Sequence, residues 1–250
     1  MEKTALITGA TSGIGRATAQ EFAKQGIRLI ICGRRQERLD TLKETLKKYT
    51  DVHVLNFDVR NRKAVFSAIE SLPENFKHVD ILINNAGNAH GLDPIHEGSL
   101  DDWDAMIDIN VKGLLYVSKA IIPQMTERNS GHIINIGSLA GKEVYPNGNV
   151  YCASKHAVVA VTEGMRLDLN PYGIKVAAIN PGLVETEFSQ VRFKGKTLAD
   201  NVYKGYKALR PEDVADVIYF VISRPKHVNI ADVLIFCTAQ ANSTIVKKEV

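Results

Sequence analysis

Short apolar runs alternate with segments of helical periodicity along this 250-residue chain, and this alternation limits its possible folds more than any other feature. The apolar runs lie at residues 4–8, 29–32, 52–57, 81–83, 133–136, 176–179 and 233–236. The helical patterns lie at residues 18–25, 36–48, 62–72, 100–128, 151–169 and 211–222. Strands that alternate with helices in this way indicate βαβ units and a parallel sheet.

The predicted fold class is therefore α/β, with a doubly wound seven-stranded parallel sheet and helices on both faces. Nearly continuous apolar strands are typical of a sheet that is covered on both sides. We expect one domain over residues 1–250, since no linker-like or repeated segment interrupts the pattern. Residues 185–209 follow the sixth predicted strand without a clear pattern of their own, and we expect them to form a substrate-binding lid.

Composition excludes several classes of protein. The net charge of +3 is too small for a protein whose main task is to bind nucleic acid. The longest apolar run, Val217–Ile222, is far shorter than a membrane-spanning helix. Three widely spaced cysteines suggest neither a disulfide framework nor a metal site, and the seven histidines have no metal-ligand spacing. We expect a cytoplasmic protein without a metal.

A glycine-rich turn, residues 8–15, joins the first predicted strand to the first helix. Glycines let the backbone turn tightly and approach a ligand, and the free N–H groups at a helix start attract a pyrophosphate. The spacing differs from Gly-x-Gly-x-x-Gly, and three glycines in a simple strand-to-helix turn remain an alternative. The candidate cofactor-binding residues of this turn are Gly9, Thr11, Ser12, Gly13, Ile14 and Gly15.

Two arginines follow the second predicted strand, where a dinucleotide-binding fold usually has an acid for the ribose hydroxyls. The sequence there is Gly33-Arg34-Arg35. A carboxylate would repel a 2′-phosphate, whereas a guanidinium binds one through charge-assisted hydrogen bonds. The pair therefore favours NADP over NAD, with Arg34 the stronger candidate, although both arginines could simply be solvated charges at the start of a helix.

Tyr151 and Lys155 are four residues apart and share one face of a predicted helix. A nearby ammonium stabilises phenolate, so we expect Lys155 to lower the pKa of Tyr151 and make it a useful acid and base. This spacing alone is more often a surface pair. Its weight comes from Ser138, at the end of a strand, and from Asn110, in the preceding helical pattern.

At this point the chain resembles the classical short-chain dehydrogenase/reductases over essentially all of its length. Their motifs occur here in the family's order: Thr8-Gly9-(x)3-Gly13-x-Gly15, Asn84-Asn85-Ala86-Gly87, Asn110, Ser138, Tyr151-(x)3-Lys155 and Pro181-Gly182. Six motifs in one order are far more specific than any one of them. The resemblance implies a single-domain Rossmann fold and hydride transfer with a nicotinamide cofactor.

The resemblance also implies a role for each matching residue. Tyr151 is the general acid and base, Lys155 lowers its pKa and holds the nicotinamide ribose, and Ser138 hydrogen-bonds the substrate oxygen. Asn110 holds a water molecule in a proton relay to Lys155. The cofactor contacts implied elsewhere in the chain are Asp58, Val59, Asn85, Ala86, Gly87, Pro181, Gly182, Val184 and Thr186. Asn84 and Asn85 could equally brace the sheet.

A closer resemblance is to the NADP-dependent 3-hydroxy acid dehydrogenases, which act on serine, allo-threonine and 3-hydroxypropionate-like acids. It is carried by residues 33–39, 129–138, 148–151, 181–189 and 191–195. A buried carboxylate calls for a guanidinium, so Arg192 is our candidate for the substrate carboxylate, with Gly148 and Asn149 as the opposite wall. Arg192 could instead fasten the lid to the domain surface or contact a second subunit.

Two other functions remain open at this stage. The same fold and cofactor could serve a reductase of a ketone or a 3-oxoacyl thioester, since Arg192, Lys194 and Lys196 would also suit an acidic carrier. A non-catalytic NADPH sensor is a remote alternative, because Ser138, Tyr151 and Lys155 are all present. The family resemblance also implies a homotetramer, for which the sequence itself supports only self-association.

Overall fold

Seven parallel strands form one sheet in the computed structural model, which describes residues 3–195 and 201–249. The strands are β1 Thr4–Ile7, β2 Arg28–Gly33, β3 Val52–Asn56, β4 Ile81–Asn84, β5 His132–Ile136, β6 Lys175–Pro181 and β7 Asp232–Ile235. Their order across the sheet is β3-β2-β1-β4-β5-β6-β7. The predicted doubly wound parallel sheet is confirmed.

Helices connect the strands and cover both faces of the sheet. They are α1 Gly13–Lys24, α2 Gln36–Leu46, α3 Arg62–Glu70, α4 Leu100–Ile107, α5 Leu114–Glu127, α6 Asn149–Leu169, α7 Phe188–Arg192 and α8 Pro211–Ile222. Helix α1 begins five residues before the predicted pattern at residue 18, because it starts within the glycine turn itself. None of the helices in the described ranges has the length and apolarity needed to cross a bilayer.

Side chains that point alternately to the two faces of the sheet divide the hydrophobic core into two layers. Ile7 and Ile83 pack with α1, α2 and α8 on one face, whereas Leu6 and Leu82 pack with α3 and α5 on the other. Successive side chains of a strand point to opposite faces, so each central strand contributes to both layers. This burial holds the carboxyl ends of β1, β4 and β5 in fixed relative positions.

The predicted helical pattern over residues 100–128 contains one wide turn. The backbone widens into a π-helical turn at Asp108–Gly113, which joins α4 to α5 without a break. A single wide turn barely alters the apolar pattern, so periodicity does not detect it. Such turns are frequent at functional sites, and this one contains Asn110.

Backbone hydrogen bonds bring the two ends of the segment at residues 185–209 together. The backbone N–H of Glu185 donates to the carbonyl of Leu209 at 2.8 Å, and the N–H of Leu209 donates to the carbonyl of Leu183 at 3.1 Å. Helix α7 lies within this segment, and we call residues 185–195 the lid segment. Residues 196–200, including Lys196, lie outside the described ranges.

Candidate active site

A cleft of about 580 Å³ opens at the carboxyl ends of the strands, around the neighbouring strands β1 and β4. Successive connections leave β1 and β4 toward opposite faces of the sheet, and ligands of doubly wound folds bind at such a switch point. The predicted site residues that line it are Gly9, Thr11, Ser12, Gly13, Ile14, Arg34, Arg35, Asp58, Val59, Asn85, Ala86, Gly87, Ser138, Tyr151, Lys155, Pro181, Gly182, Val184, Thr186 and Arg192. Gly15, Asn110, Gly148 and Asn149 lie outside this lining.

The glycine turn has a backbone that other residues would strain. Gly9 and Gly13 have φ values of +65° and +50°. A Cβ on Gly15 would overlap the Asn85 amide and the Gly9 carbonyl. Gly15 therefore lets the turn close, and Gly9 and Gly13 face the cleft.

The two asparagines after β4 have different roles. Asn84 is buried and donates to Ser118 Oγ and Asn135 Oδ1, both at 2.9 Å, which braces the sheet against α5. Asn85 Nδ2 donates to the Thr8 carbonyl at 2.8 Å and to the Gly9 carbonyl at 3.2 Å. Asn85 thus supports the glycine turn and also borders the cleft.

Arg34 lies at the cleft edge with more than half of its side chain exposed, 3.6 Å from Asp58. Asp58 in turn accepts hydrogen bonds from Arg60, the shortest at 2.7 Å. Burial by itself would raise the pKa of Asp58, but the hydrogen bonds from Arg60 and the charge of Arg34 outweigh it and lower the pKa below its ordinary value. Asp58 is therefore a carboxylate at neutral pH, and within the described ranges Arg34 makes no other ion pair.

Arg35 lies across the glycine turn. Its Nη2 donates to Thr11 Oγ1 at 2.9 Å and to Ser12 Oγ at 3.1 Å, and its Nη1 donates to Glu187 at 3.2 Å. Arg38 donates to the same Glu187 carboxylate at 2.8 Å. Sequence reasoning missed Arg38 and Glu187, because the pair is 149 residues apart and no local pattern connects them.

Tyr151 is almost completely buried beneath the lid segment. The ring of Phe188 lies against it, with centroids 5.7 Å apart, and the Ser138 side chain interacts with its hydroxyl. Burial raises the pKa of Tyr151, and the Ser138 side chain and the charge of Arg192 offset only part of this. The nearness of Ser138 to Tyr151 creates a point where one substrate oxygen can contact both hydroxyls.

Lys155 is buried beside Tyr151, with Nζ 6.0 Å from the centre of the phenol ring. Its Nζ donates to the carbonyl of Ile136 at 3.0 Å, and burial lowers its pKa to about 8. Burial of the phenol has the largest effect on the pKa of Tyr151 in this arrangement, and the lowering of that pKa by Lys155 stays a prediction. Lys155 is positioned to share a proton near neutral pH.

The side chain of Asn110 is occupied within the protein. Its Oδ1 accepts from the backbone N–H of Asn88 at 2.9 Å, and its Nδ2 donates to the Asn88 carbonyl at 2.9 Å and to Ser154 Oγ at 3.0 Å. Ser154 Oγ also donates to the carbonyl of Tyr151 at 2.8 Å. Asn110 thus connects the π-helical turn to α6.

Arg192 points from α7 into the closed site. Its Nε donates to the Gly91 carbonyl at 3.1 Å, its Nη1 donates to Tyr145 Oη at 3.0 Å, and its guanidinium carbon is 5.4 Å from the centre of the Tyr151 ring. Its Nη2 is buried and makes no hydrogen bond within the described residues. An unsatisfied buried donor is costly, so this nitrogen offers a ready site for an anion.

Tyr145 lines the cleft next to the predicted wall of Gly148 and Asn149. A Cβ on Gly148 would overlap the Tyr145 ring, so this glycine makes room for the aromatic side chain, and Tyr145 itself lines the cleft. Gly148 and Asn149 instead line a smaller neighbouring pocket of about 10 Å³, which shares Tyr151 and Arg192 with the cleft. The sequence showed no signal for Tyr145 beyond an aromatic residue near Tyr151.

The fold and this site define an oxidoreductase of the short chain dehydrogenase class. The family model described as short chain dehydrogenase matches residues 3–197, and the chain belongs to that family. Among the described residues, no group of three or more His, Cys, Asp or Glu side chains is arranged to hold a metal ion.

Several characterised members of the family are similar over nearly the whole chain. The NADP-dependent 3-hydroxy acid dehydrogenase of Escherichia coli (strain K12) is 48% identical over 90% of this chain and 91% of its own. The enzyme of that name from Schizosaccharomyces pombe is 43% identical over 99% and 97%. Sulfoacetaldehyde reductase 2 of Chromohalobacter salexigens is 45% identical over 96% of both chains.

Solved structures show the same similarity. The closed form of a serine dehydrogenase complexed with NADP+ superposes with a TM-score of 0.93, at 45% identity, covering 97% of this chain and 98% of that one. The serine dehydrogenase of Escherichia coli superposes with a TM-score of 0.83, at 41% identity, covering 95% and 99%.

Proposed function

We propose that this chain is an NADP-dependent oxidoreductase that interconverts the hydroxyl and carbonyl forms of a small 3-hydroxy acid. The observation that carries the proposal is Nη2 of Arg192, which lies beside Tyr151, is buried and has no hydrogen-bond partner among the described residues. A substrate anion at Arg192 would place the neighbouring carbinol toward Tyr151 and Ser138. The names of the similar enzymes support the same substrate class.

The cleft fits the proposed cofactor. Thr11, Ser12 and Gly13 border the turn that would hold the pyrophosphate, and a side chain on Gly87 would crowd Asn110 and Lys155. Four arginines and two carboxylates surround the adenosine end, with a net charge of about +2 that matches a phosphate dianion. These groups are Arg34, Arg35, Arg38, Arg60, Asp58 and Glu187.

The protein groups divide the acid–base chemistry among them. NADP, when bound, accepts or supplies the hydride. In oxidation Tyr151 removes the proton of the substrate hydroxyl, and in reduction it returns a proton to the carbonyl oxygen. Ser138 donates a hydrogen bond to that oxygen and stabilises its developing charge. Lys155, whose pKa is about 8, exchanges the proton onward from the buried phenol.

The lid segment would exclude water from the reacting atoms. Phe188 covers the Tyr151 ring, and Arg192 closes the side of the site through Gly91 and Tyr145. A dry site strengthens the interaction between the substrate anion and the guanidinium. We therefore assign substrate binding to Arg192, with Tyr145 holding the guanidinium in place.

A sulfonate-bearing aldehyde is a second candidate substrate, favoured by the similarity to sulfoacetaldehyde reductase 2. In 3-hydroxypropionate and in 2-hydroxyethanesulfonate, one methylene separates the anionic group from the carbinol carbon. Arg192 could therefore hold either anion with the carbinol in the same place. An acyl-carrier thioester is less favoured, because Arg192 points inward and Lys194 is paired with Asp102.

Initial rates of nicotinamide absorbance change test this proposal. The substrates are L-serine, L-allo-threonine, 3-hydroxypropionate and 2-hydroxyethanesulfonate, each with NADP and with NAD, and 1-propanol is the matched alcohol without an anion. We expect at least one anionic substrate to exceed 1-propanol in kcat/KM by about 100-fold with NADP. Equal rates for the anionic and neutral alcohols would contradict the role of the anion.

We also propose a cytoplasmic homotetramer. All three cysteines are free and buried, which suits a reducing compartment. Leu100, Leu115 and Leu167 are exposed on α4, α5 and α6, the helices through which the family resemblance implies pairing. Light scattering coupled to size-exclusion chromatography tests the assembly, and a monomer of 27.5 kDa would contradict it.

A further inference from the structure

The lid segment is attached to the rest of the domain by ion pairs on both sides of α7. Before the helix, Glu187 accepts hydrogen bonds from Arg38 at 2.8 and 3.0 Å and from Arg35 at 3.2 Å. After it, Lys194 Nζ donates to Asp102 Oδ2 at 3.0 Å. The first cluster lies at the nucleotide end of the cleft and the second beside the substrate end, so α7 is held across both.

The Glu187 cluster connects the lid segment to the glycine turn. Arg38, on α2, directs its hydrogen bonds in the described part of the chain to Glu187. Arg35 joins Glu187 to Thr11 and Ser12. A continuous set of charge-assisted hydrogen bonds therefore extends from the lid, through Arg35, to the turn that borders the proposed pyrophosphate site.

The positive charges of Arg35 and Arg38 explain why a carboxylate lies between them. Arg35 and Arg38 are less than one helical turn apart in sequence and would repel each other if both pointed at the cleft without an anion between them. Glu187 neutralises one of the two charges and holds both side chains. The pKa of Glu187 lies below its ordinary value, since hydrogen bonds from Arg38 and Arg35 outweigh the effect of burial. It is ionised at neutral pH.

We propose that Glu187 is a positioning residue that fastens the closed lid segment to the arginines of the nucleotide site, so that cofactor release requires the Glu187–Arg35–Arg38 cluster to open. This proposal rests on the proposed function for the identity of the cofactor. Glu187 then acts on the bound cofactor through Arg35 and the lid, and on the substrate through the position of Arg192, five residues further along the chain.

The Glu187→Gln variant removes the charge while it keeps the size of the side chain. We expect NADPH to dissociate about 3- to 10-fold faster, as exposed charge-assisted pairs are individually weak. The KM for the hydroxy acid should rise by a similar factor while kcat does not fall, because the reacting groups are untouched. Both effects should shrink at about 0.5 M salt, since the side chains are half exposed.

Stopped-flow fluorescence of NADPH displaced by excess NADP+ measures dissociation without turnover. Arg38→Gln should give the same increase, and the double variant Glu187→Gln/Arg38→Gln should add little to either single change. Glu37→Gln is the matched control. Glu37 is exposed and precedes Arg38 in the sequence, but its carboxylate is not part of the Glu187–Arg35–Arg38 cluster, so NADPH should dissociate from this variant at the wild-type rate.

An unchanged dissociation rate in Glu187→Gln would overturn the proposal. Slower dissociation would also overturn it, because Glu187 would then compete with the cofactor phosphate for the arginines. Additive effects of the two substitutions would show that Glu187 and Arg38 do not act together, which would also overturn the proposal. If the wild-type protein binds NADPH but oxidises no hydroxy acid, the proposed substrate class is wrong. The NADPH dissociation rates would still decide the role of Glu187.

Discussion

Arg192 and Gly91 are joined by a reciprocal pair of hydrogen bonds: Arg192 Nε donates to the Gly91 carbonyl at 3.1 Å, and the Gly91 N–H donates to the Arg192 carbonyl at 3.0 Å. The lid segment is thereby held to the loop that follows β4. The same geometry turns the far side of the guanidinium toward Tyr151 and leaves Nη2 without an acceptor in the part of the chain that the structure describes. The arginine is held in place before any anion arrives.

Arg192→Ala should therefore impair substrate binding and leave the cofactor site intact. We expect the KM of the hydroxy acid to rise about 10- to 100-fold, the usual effect of losing hydrogen bonds to a charged group. The dissociation constant of NADPH, measured by fluorescence titration, should stay within about twofold. Arg62→Ala, on the exposed start of α3, is the matched control. An unchanged KM would remove Arg192 from the anion site.

Tyr151→Phe should abolish most turnover while the protein still binds NADPH. The substitution removes only the hydroxyl that Ser138 contacts, and losing a general acid and base costs about 100- to 10,000-fold in rate. Single-turnover kinetics and NADPH titration separate the two properties. Tyr172→Phe, an exposed tyrosine after α6, should behave as the wild type. A variant that retains most of its kcat would assign the proton transfer to another group.

Arg34→Ala should weaken NADP and spare NAD. Arg34 is the more exposed of the two arginines after β2, and among the described residues it makes an ion pair with Asp58 alone, which leaves donors for a 2′-phosphate. We expect the kcat/KM for NADP to fall about 10- to 100-fold, and that for NAD to change little. Measurements with both cofactors at one ionic strength check this. A parallel loss for both would show that Arg34 does not recognise the phosphate.

His132 should make the protein sensitive to acid. Burial, with the charges of Lys175 and Lys3, lowers its pKa from 6.5 to about 3. At pH values between these two pKa values, His132 is protonated in the unfolded chain and neutral in the folded protein. The free energy of unfolding therefore falls with decreasing pH by up to about 1.4 kcal/mol per pH unit. Urea unfolding at several pH values should show a shallower dependence for His132→Leu. An equal slope in both proteins would contradict the assignment, and the exposed His78→Leu serves as the control.

Much of the site was predictable because its groups lie at positions that the fold brings together. Ser138 follows β5, and Tyr151 and Lys155 lie one turn apart on α6, so βαβ topology places all three at one edge of the sheet. The motif order supported the same arrangement. Tyr145 and Glu187 escaped prediction because an isolated aromatic and an isolated acid have no spacing to detect.

The environment of Tyr151 shows where sequence reasoning ended. Spacing correctly placed Lys155 on the same helix face, and it suggested a lowered phenol pKa. In the structure, Lys155 donates to the Ile136 carbonyl, and the lid residue Phe188 covers the ring. Desolvation depends on residues that lie far apart in sequence, so the direction of the pKa shift required the folded arrangement.

The sequence by itself determined the order of strands and helices, the glycine turn and the chemical groups at the carboxyl edge of the sheet, because periodicity and local backbone preferences are encoded over short distances. The tertiary structure decided which carboxylate pairs with each arginine and how the Arg192 guanidinium is oriented. It also decided which nitrogen of that guanidinium lacks a partner among the described residues. Those properties arise from contacts between distant segments and from the loss of water around them. Glu187 and Arg38, 149 residues apart, meet only because the lid segment closes over the nucleotide end of the cleft.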